Sequence, residues 1–454
     1  MALMDLEGKK VLVVGLARTG VALCRFLAGK GARVTVTDAA PAADLEEARR
    51  EIADLEVAEE LGVLEPRWPG FDLIVLSPGV PPELPWLEEA GKAGIPVVGE
   101  LEVAAPFIRR RLIAVSGTNG KTTTVTLLGE LLAAGGLNPA VGGNIGTPVL
   151  ELLARQEKAD VLVLEVSSFQ LDTAPSFHPQ AAALLNITPD HLDRYPDFSG
   201  YAASKAGLFR RQGAADLRVL NADDAAVAAL GQGAPGRVYY FSASRPLPQG
   251  AWLENGAVRI RLAPGVEENF PLKDILLQGR HNLENVMAAL LLALDAGADP
   301  EACRRVLASF QGLPHRLELV AEIDGVQFYD DSKGTNVGAV ACSLACFDRP
   351  VILIAGGRDK DSDFTLLSEA IRERVKALVL LGETRELLAR VWEGLAPVRL
   401  AADMADAVLT AWELARPGDV VLLSPACASF DMFQDYAHRG RVYQKAVKEL
   451  QDAE

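Results

Sequence analysis

Cysteine is scarce in this chain: only Cys24, Cys303, Cys342, Cys346 and Cys427 occur among 454 residues. Their scatter argues against a disulfide framework. Cys342 and Cys346 stand at helical i,i+4 spacing on an Ala-rich stretch rather than in a paired metal-ligand pattern, so small buried thiols are expected. Aromatic residues make up 6%, and positive charge is in deficit, 45 Lys and Arg against 61 Asp and Glu, for a formal net charge of −16. That balance disfavours broad attraction to nucleic acid or to an anionic membrane, while leaving room for a local cationic pocket and an anionic small ligand. Long apolar runs are also missing. The most apolar later stretch, VMAALLLALDA at 286–296, is too short to cross a bilayer and reads as a buried helix. The opening MALMDLEGKKVLVVG enters a strand pattern with no basic segment, long apolar core or small-residue cleavage site, so no secretion signal is expected and the chain is placed in the cytoplasm.

What is present is a series of apolar runs, each stopped by glycine or a polar residue, in a chain long enough for about three domains. The first run, VLVVG, is followed by the helical pattern VALCRFLAGKG and by RVTVTD, ending at Asp38, with further strands expected at 73–76 and 95–99. This is the pattern of a Rossmann-like domain over 1–99. A second start, LIAVS, leads through GTNGKTT into VTLLGELLAAGG, with Gly135 and Gly136 placed to cap the helix. Two more apolar strands, VLVLEV and AAALLNI, end in polar residues, and AWLENGAVRIRL carries Asn-Gly between alternating residues, as a hairpin requires. Residues 100–312 are therefore expected to form a P-loop ATPase-type central domain with a small β addition. From 313 to 454 the pattern restarts with VQFYDDS, VILIAGGRD, ALVLLGE and DVVLLSPA, a second Rossmann-like domain. The fold class is α/β.

Gly117-Thr118-Asn119-Gly120-Lys121-Thr122-Thr123 is the most informative segment. Successive backbone N–H groups and a helix N-terminus can hold phosphate oxygens, Lys121 can span the β and γ groups, and Thr122 can ligate magnesium. The segment is shorter than the general P-loop, because Val115 occupies the place of its first glycine. In the first domain, Gly15-Leu16-Ala17-Arg18-Thr19-Gly20 lacks the middle glycine of a dinucleotide fingerprint. With Asp38 near ribose-contacting distance it supports a nucleotide or diphosphate site, and on its own it leaves an NAD-dependent oxidoreductase open.

GTNGKTT, EVSSFQL, NITPDHLDRY, YAASK, HNLEN, GLPHR and DDSKGTN follow one another in the order found in Mur ligases, and the chain resembles that family over nearly its whole length. The first domain, with GLARTG and LSPGV, and the later GGNIG are similar to the member that takes UDP-N-acetylmuramoyl-L-alanine and D-glutamate. The resemblance implies a monomer that uses ATP to phosphorylate a carboxylate, giving an acyl phosphate that an amine attacks, with two magnesium ions. It implies that Lys121 binds phosphate, that Thr122 and Glu165 serve one magnesium, and that His191 serves a second beside a carbamylated Lys205. Asn285, Arg316 and Asp331 correspond to ATP contacts. Lys333, Thr335, Lys360, Ser429 and Tyr436 correspond to the amino-acid site, and Leu16, Ala17, Asp38, Ser77, Gly79, Asn144 and Gln170 to the UDP-sugar site. Ala39 stands where some relatives carry a hydrogen-bonding Thr, which leaves one nucleobase contact to the backbone. Two alternatives remain at this level: a ligase on the same scaffold that adds L-alanine, a diamino acid or folate glutamates, and a nucleotide-binding regulator without ligase chemistry.

Overall fold

The computed structural model describes residues 5–191, 194–263, 266–277 and 279–453. The first four residues of the opening segment, and Leu192 and Asp193 of the PDHLDRY stretch, lie outside the described residues. Three sheets organise the chain, which divides into two compact units: the first two sheets belong to one, and the third, with segments 188–198 and 275–283, to the other.

The first sheet contains β1 (Lys10–Val14), β2 (Arg33–Asp38), β3 (Val57–Leu61), β4 (Leu73–Leu76) and β5 (Val97–Gly99), all parallel, in the order β3-β2-β1-β4-β5. The runs VLVV and LIVL are buried throughout, as parallel strands covered on both faces must be. Strand order reverses between β1 and β4, so a crevice opens at their carboxyl ends, where Gly15 to Ala17 and Ser77 to Gly79 lie. The strand expected at 95–99 starts two residues late, because the Ile95 amide still bonds Ala90 O at the end of the preceding helix.

The second sheet contains β6 (Arg111–Ser116), β7 (Pro139–Gly143), β8 (Val161–Glu165), β9 (Ala181–Leu184), β10 (Leu217–Asn221), β11 (Arg237–Ser242), β12 (Gly250–Glu254), β13 (Ala257–Ala263) and β14 (Val266–Pro271). Its order is β14-β13-β12-β11-β10-β9-β6-β8-β7. The expected hairpin is β12–β13, turning at Asn255 and Gly256 with φ of 51° and 72°, the left-handed pair an Asn-Gly turn supplies. Strand β14 extends it, so the β addition continues the edge of the central sheet. The apolar run at 286–296 lies in the helix Arg280–Asp295, buried from Asn285 to Ala293. Among the described residues, no helix is long and apolar enough to cross a membrane. The first and second sheets are joined by backbone and by buried acids: Gly99 N donates to Thr173 O, Glu100 accepts from Leu150 N, and Glu102 accepts from Ser176.

The second unit carries β15 (Glu318–Ile323), β16 (Val326–Asp330), β17 (Val351–Ala355), β18 (Val375–Leu380), β19 (Val398–Leu400) and β20 (Val420–Leu423), in the order β15-β16-β20-β17-β18-β19. All neighbours are parallel except the β15–β16 hairpin. One expectation fails here. Cys24, Cys303 and Cys427 are buried, but Cys342 is exposed and Cys346 only half-buried. The helix Val337–Leu344 turns Val337, Val340 and Leu344 inward, and Cys342 falls off that stripe.

Candidate functional site

Strand β6 ends at Ser116 and the helix Lys121–Ala134 begins at once after Gly120, so four residues form the whole turn. Val115 is still paired with Glu165 and Ala183 on its two sides, which is why it needs no glycine. Gly120 has φ +84°, and a Cβ there would run into the Asn285 side-chain amide, so Asn285 packs directly on the loop. Lys121 Nζ donates to the carbonyls of Gly117 and Thr118, both at 2.7 Å. The fully buried Lys205 reaches the same Gly117 oxygen at 2.9 Å, with its ammonium 4.6 Å from the centre of the Tyr201 ring. Tyr201 Oη meets Thr118 Oγ1 at 3.1 Å. Thr122 is half-buried in the first helical turn, and Thr123 is buried beneath it. Thus the loop, Asn285 and Lys205, expected from separate motifs, come together at the carboxyl edge of the central sheet.

Glu165 ends β8 beside β6 and is 2% exposed. Its Oε1 accepts from Asn144 Nδ2 at 3.0 Å, and the Asn144 amide bonds Glu165 O at 2.9 Å. Its other carboxylate oxygen, Oε2, is buried without a hydrogen-bond partner. An ionised oxygen left so is costly, and a hard divalent cation satisfies it, so the donor chemistry fits magnesium. Lys205 as an ammonium is a donor only and could not be a ligand without modification. Gln170, also buried, forms a capping box with Ser167 at the start of the helix Ser168–Asp172.

In the first sheet, Asp38 spends both carboxylate oxygens on the backbone, accepting from Leu16 N at 2.7 Å and Ala40 N at 2.8 Å. Ser77 Oγ donates to Gly15 O at 2.8 Å. Asp38 and Ser77 therefore shape the turn from two sides. Leu16 is fully buried, leaving its backbone as the usable part, while Ala17 caps the helix Arg18–Gly29 with no side-chain hydrogen bond. A cap of this kind suits an anionic group at the helix N-terminus. Gly79 faces open space, with nothing within 4 Å of where a Cβ would stand.

In the second unit, Asp331 follows β16, and its Oδ2 accepts from Ser343 Oγ and Ser424 Oγ, both at 2.7 Å. Burial pushes its carboxyl up to about 6, against the pull of those hydroxyls and of the Arg316 charge. Lys333 Nζ sits 3.8 Å from the centre of the Tyr436 ring, so two residues assigned to the amino-acid site from distant motifs do meet. Ser429 is buried at the end of the β20 loop, while Lys360 and Thr335 are half-buried on theirs. His191 has φ +55° and lies beside Asp190, whose Oδ2 accepts from Asn336 Nδ2 at 3.1 Å.

Two contributors escaped the sequence reading. Arg439, 1% exposed, donates to Ser332 Oγ and O and to the carbonyls of Cys427 and Ala428, binding the loop of Lys333 to that of Ser429. Burial lowers its pKa to about 10. Asn186 holds the Gly117–Gly120 turn through Thr118 and Asn119. Asn186 opens the NITPDHLDRY stretch, but nothing in that motif marked its side chain as a support for the turn.

Comparison with known proteins matches three family models in order: "Mur ligase MurD-like, N-terminal domain" over residues 9–99, "Mur ligase middle domain" over 115–293, and "Mur ligase, glutamate ligase domain" over 315–427. A protein of Geotalea uraniireducens named "UDP-N-acetylmuramoylalanine--D-glutamate ligase" is 47% identical over 450 residues, covering 99% of each chain. One of the same name from Desulfosudis oleivorans is 45% identical, covering 99% of this chain and 98% of that one. Among solved structures, UDP-N-acetylmuramate-alanine ligase MurC of Thermotoga maritima aligns with TM-score 0.60 at 17% identity over 98% of this chain and 100% of its own. MurF of Acinetobacter baumannii aligns with TM-score 0.59 at 17% identity over 99% and 92%. At those identities the structures speak for the fold alone.

Proposed function

This chain belongs to the Mur ligase family, and we propose that it joins D-glutamate to UDP-N-acetylmuramoyl-L-alanine at the expense of ATP, a step of peptidoglycan precursor synthesis. ATP transfers its γ-phosphoryl group to the acceptor's terminal carboxylate, releasing ADP. The amino group of D-glutamate attacks the acyl phosphate, phosphate leaves, and an amide remains. A carboxylate is a weak electrophile and repels the triphosphate, so cations and aligned dipoles must first bring the two anions together.

The observation that carries this reading is the convergence of Lys121, Lys205 and the Gly117–Gly120 turn at the carboxyl edge of the central sheet, beside Glu165 with its open oxygen. On this reading Lys121 swings from the loop carbonyls to the β and γ phosphates, and Asn285, Arg316 and Asp331 hold the nucleotide. Magnesium, bound through Thr122 and Glu165, would neutralise phosphate charge, and a second ion would use His191 and a carbamylated Lys205. The turn at Leu16 and Ala17, shaped by Asp38 and Ser77, takes the UDP end of the acceptor together with Gly79, Asn144 and Gln170. Lys333, Thr335, Lys360, Ser429 and Tyr436 take D-glutamate, with lysines matched to two carboxylates. We divide these roles among domains 1–99, 100–312 and 313–454 of a cytoplasmic monomer, since one chain supplies every group.

Phosphate release measured with a panel of acceptors and amino acids tests the proposal. Turnover should require UDP-N-acetylmuramoyl-L-alanine and D-glutamate together. Stimulation only by a folate acceptor with L-glutamate, or by the unextended UDP-muramoyl acid with L-alanine, would reassign the substrate.

A further inference from the structure

The four-residue turn between β6 and its helix has little chain with which to hold its own shape, because Val115 and Ser116 are committed to the sheet. Support comes from the end of β9. Leu185 N still pairs with Ser116 O, and Asn186 then bonds the turn three times. Its carbonyl accepts from Thr118 N at 3.0 Å, its Oδ1 accepts from Asn119 N at 2.8 Å, and its Nδ2 donates to Asn119 O at 3.2 Å. The side-chain amide thus imitates one more rung of the β6–β9 ladder, presenting both a donor and an acceptor to the peptide groups of a single residue. Asparagine suits this task, since its carboxamide has the geometry of a peptide group.

We propose that Asn186 is a positioning residue for nucleotide, holding Thr118 to Gly120 in the phosphate-binding shape before ATP arrives. The inference rests on the phosphate-loop reading above. A turn shaped in advance binds without the cost of ordering it, so losing the clamp should appear in nucleotide affinity before anything else.

The variants are Asn186→Ala, which removes both bonds, and Asn186→Asp, which keeps the size and the acceptor but sets a carboxylate oxygen against Asn119 O. Asn186→Ala, with both bonds lost, should raise the KM for ATP and weaken ADP–magnesium binding on the order of tenfold, and Asn186→Asp, with one bond lost and an oxygen–oxygen repulsion gained, should act in the same direction. The KM values for acceptor and D-glutamate should stay within about twofold, since neither substrate depends on these two bonds. In the nucleotide-free wild type, amide hydrogen exchange resolved at Asn119 should be slow, and in Asn186→Ala it should be fast. Unchanged ATP dependence in both variants overturns the proposal, as does rapid exchange at Asn119 in the wild type. Equal weakening of all three substrates with a lowered Tm also overturns it, because that marks a general structural role. Failure of the phosphate-loop reading is a separate result, seen as intact ATP use after Lys121→Ala.

Discussion

The ammonium groups of Lys121 and Lys205 donate to one and the same oxygen, the carbonyl of Gly117, at 2.7 and 2.9 Å. Two like charges on a single acceptor in a largely buried place repel one another, and two events relieve the repulsion. A triphosphate can draw Lys121 away, and carbamylation can turn Lys205 into an anion that attracts it.

The first event gives the plainest prediction. Lys121→Ala should slow phosphoryl transfer by about 10² to 10³, the usual cost of removing one preorganised charge contact. Binding of the UDP acceptor should be unaffected, because the charge is aimed at phosphate. Single-turnover ADP formation, with acceptor affinity measured alongside, checks both halves; wild-type turnover would remove the phosphate-loop assignment.

The second concerns Lys205. Carbon dioxide reacts only with the neutral form of an amine, so carbamylation of Lys205 would exchange its ammonium for a carbamate anion. Lys205→Ala should fold normally and be nearly inactive, with partial recovery in small carboxylates that supply the lost metal ligand. Enzyme equilibrated with ¹³C-bicarbonate should show a carbamate carbon signal that the variant lacks. Full activity of Lys205→Ala would refute the role.

In the proposed amino-acid site, Lys333 Nζ lies 3.8 Å from the centre of the Tyr436 ring. Tyr436→Phe keeps the ring and should leave the KM for D-glutamate within about twofold, whereas Tyr436→Ala removes the cation–π contact, worth roughly 0.5 to 2 kcal/mol, and should raise it several-fold. Equal effects of the two substitutions would show that the hydroxyl matters instead.

Glu100, between the first two sheets, has one carboxylate oxygen on Leu150 N and the other buried without a partner. Burial pushes its carboxyl from 4.5 up to about 7, against the backbone hydrogen bonds that favour the anion. The native state then holds the proton more tightly than the unfolded chain, so this group's contribution is full below about 4.5 and is lost as pH rises through about 7. Glu100→Gln keeps the acceptor for Leu150 and cannot ionise. Its Tm advantage over the wild type should grow between pH 5 and pH 8, by an equivalent on the order of 2 kcal/mol. Parallel Tm curves would contradict the burial argument.

Strands buried on both faces were legible because they read as unbroken apolar runs: LIVL gave β4 to the residue, and β17 is the apolar part of VILIAGGRD. Of the edge strands, β5 was expected within two residues, but β3 and β19 were not. Strand β3, VAEEL, shows its glutamates to solvent, and β19 is a three-residue edge. In the candidate site, GTNGKTT announced itself because the role proposed for it uses the backbone, which leaves a mark of glycines. Asn186 heads the quoted NITPDHLDRY stretch and Arg439 lies outside every quoted motif, but both act by tertiary hydrogen bonds to loops 67 and about 107 residues away in sequence, which nothing local announces. Asp38 was legible as a residue, but its engagement with the turn through Leu16 N and Ala40 N was visible only in the fold.

The central claim, amide formation through an acyl phosphate on UDP-N-acetylmuramoyl-L-alanine, is tested most directly with acceptor labelled with ¹⁸O in its terminal carboxylate. Incubated with ATP, magnesium and D-glutamate, the enzyme should release inorganic phosphate carrying one ¹⁸O per turnover, together with a product heavier by one glutamyl residue. Unlabelled phosphate, or label transfer that needs a different amino acid, would contradict the account.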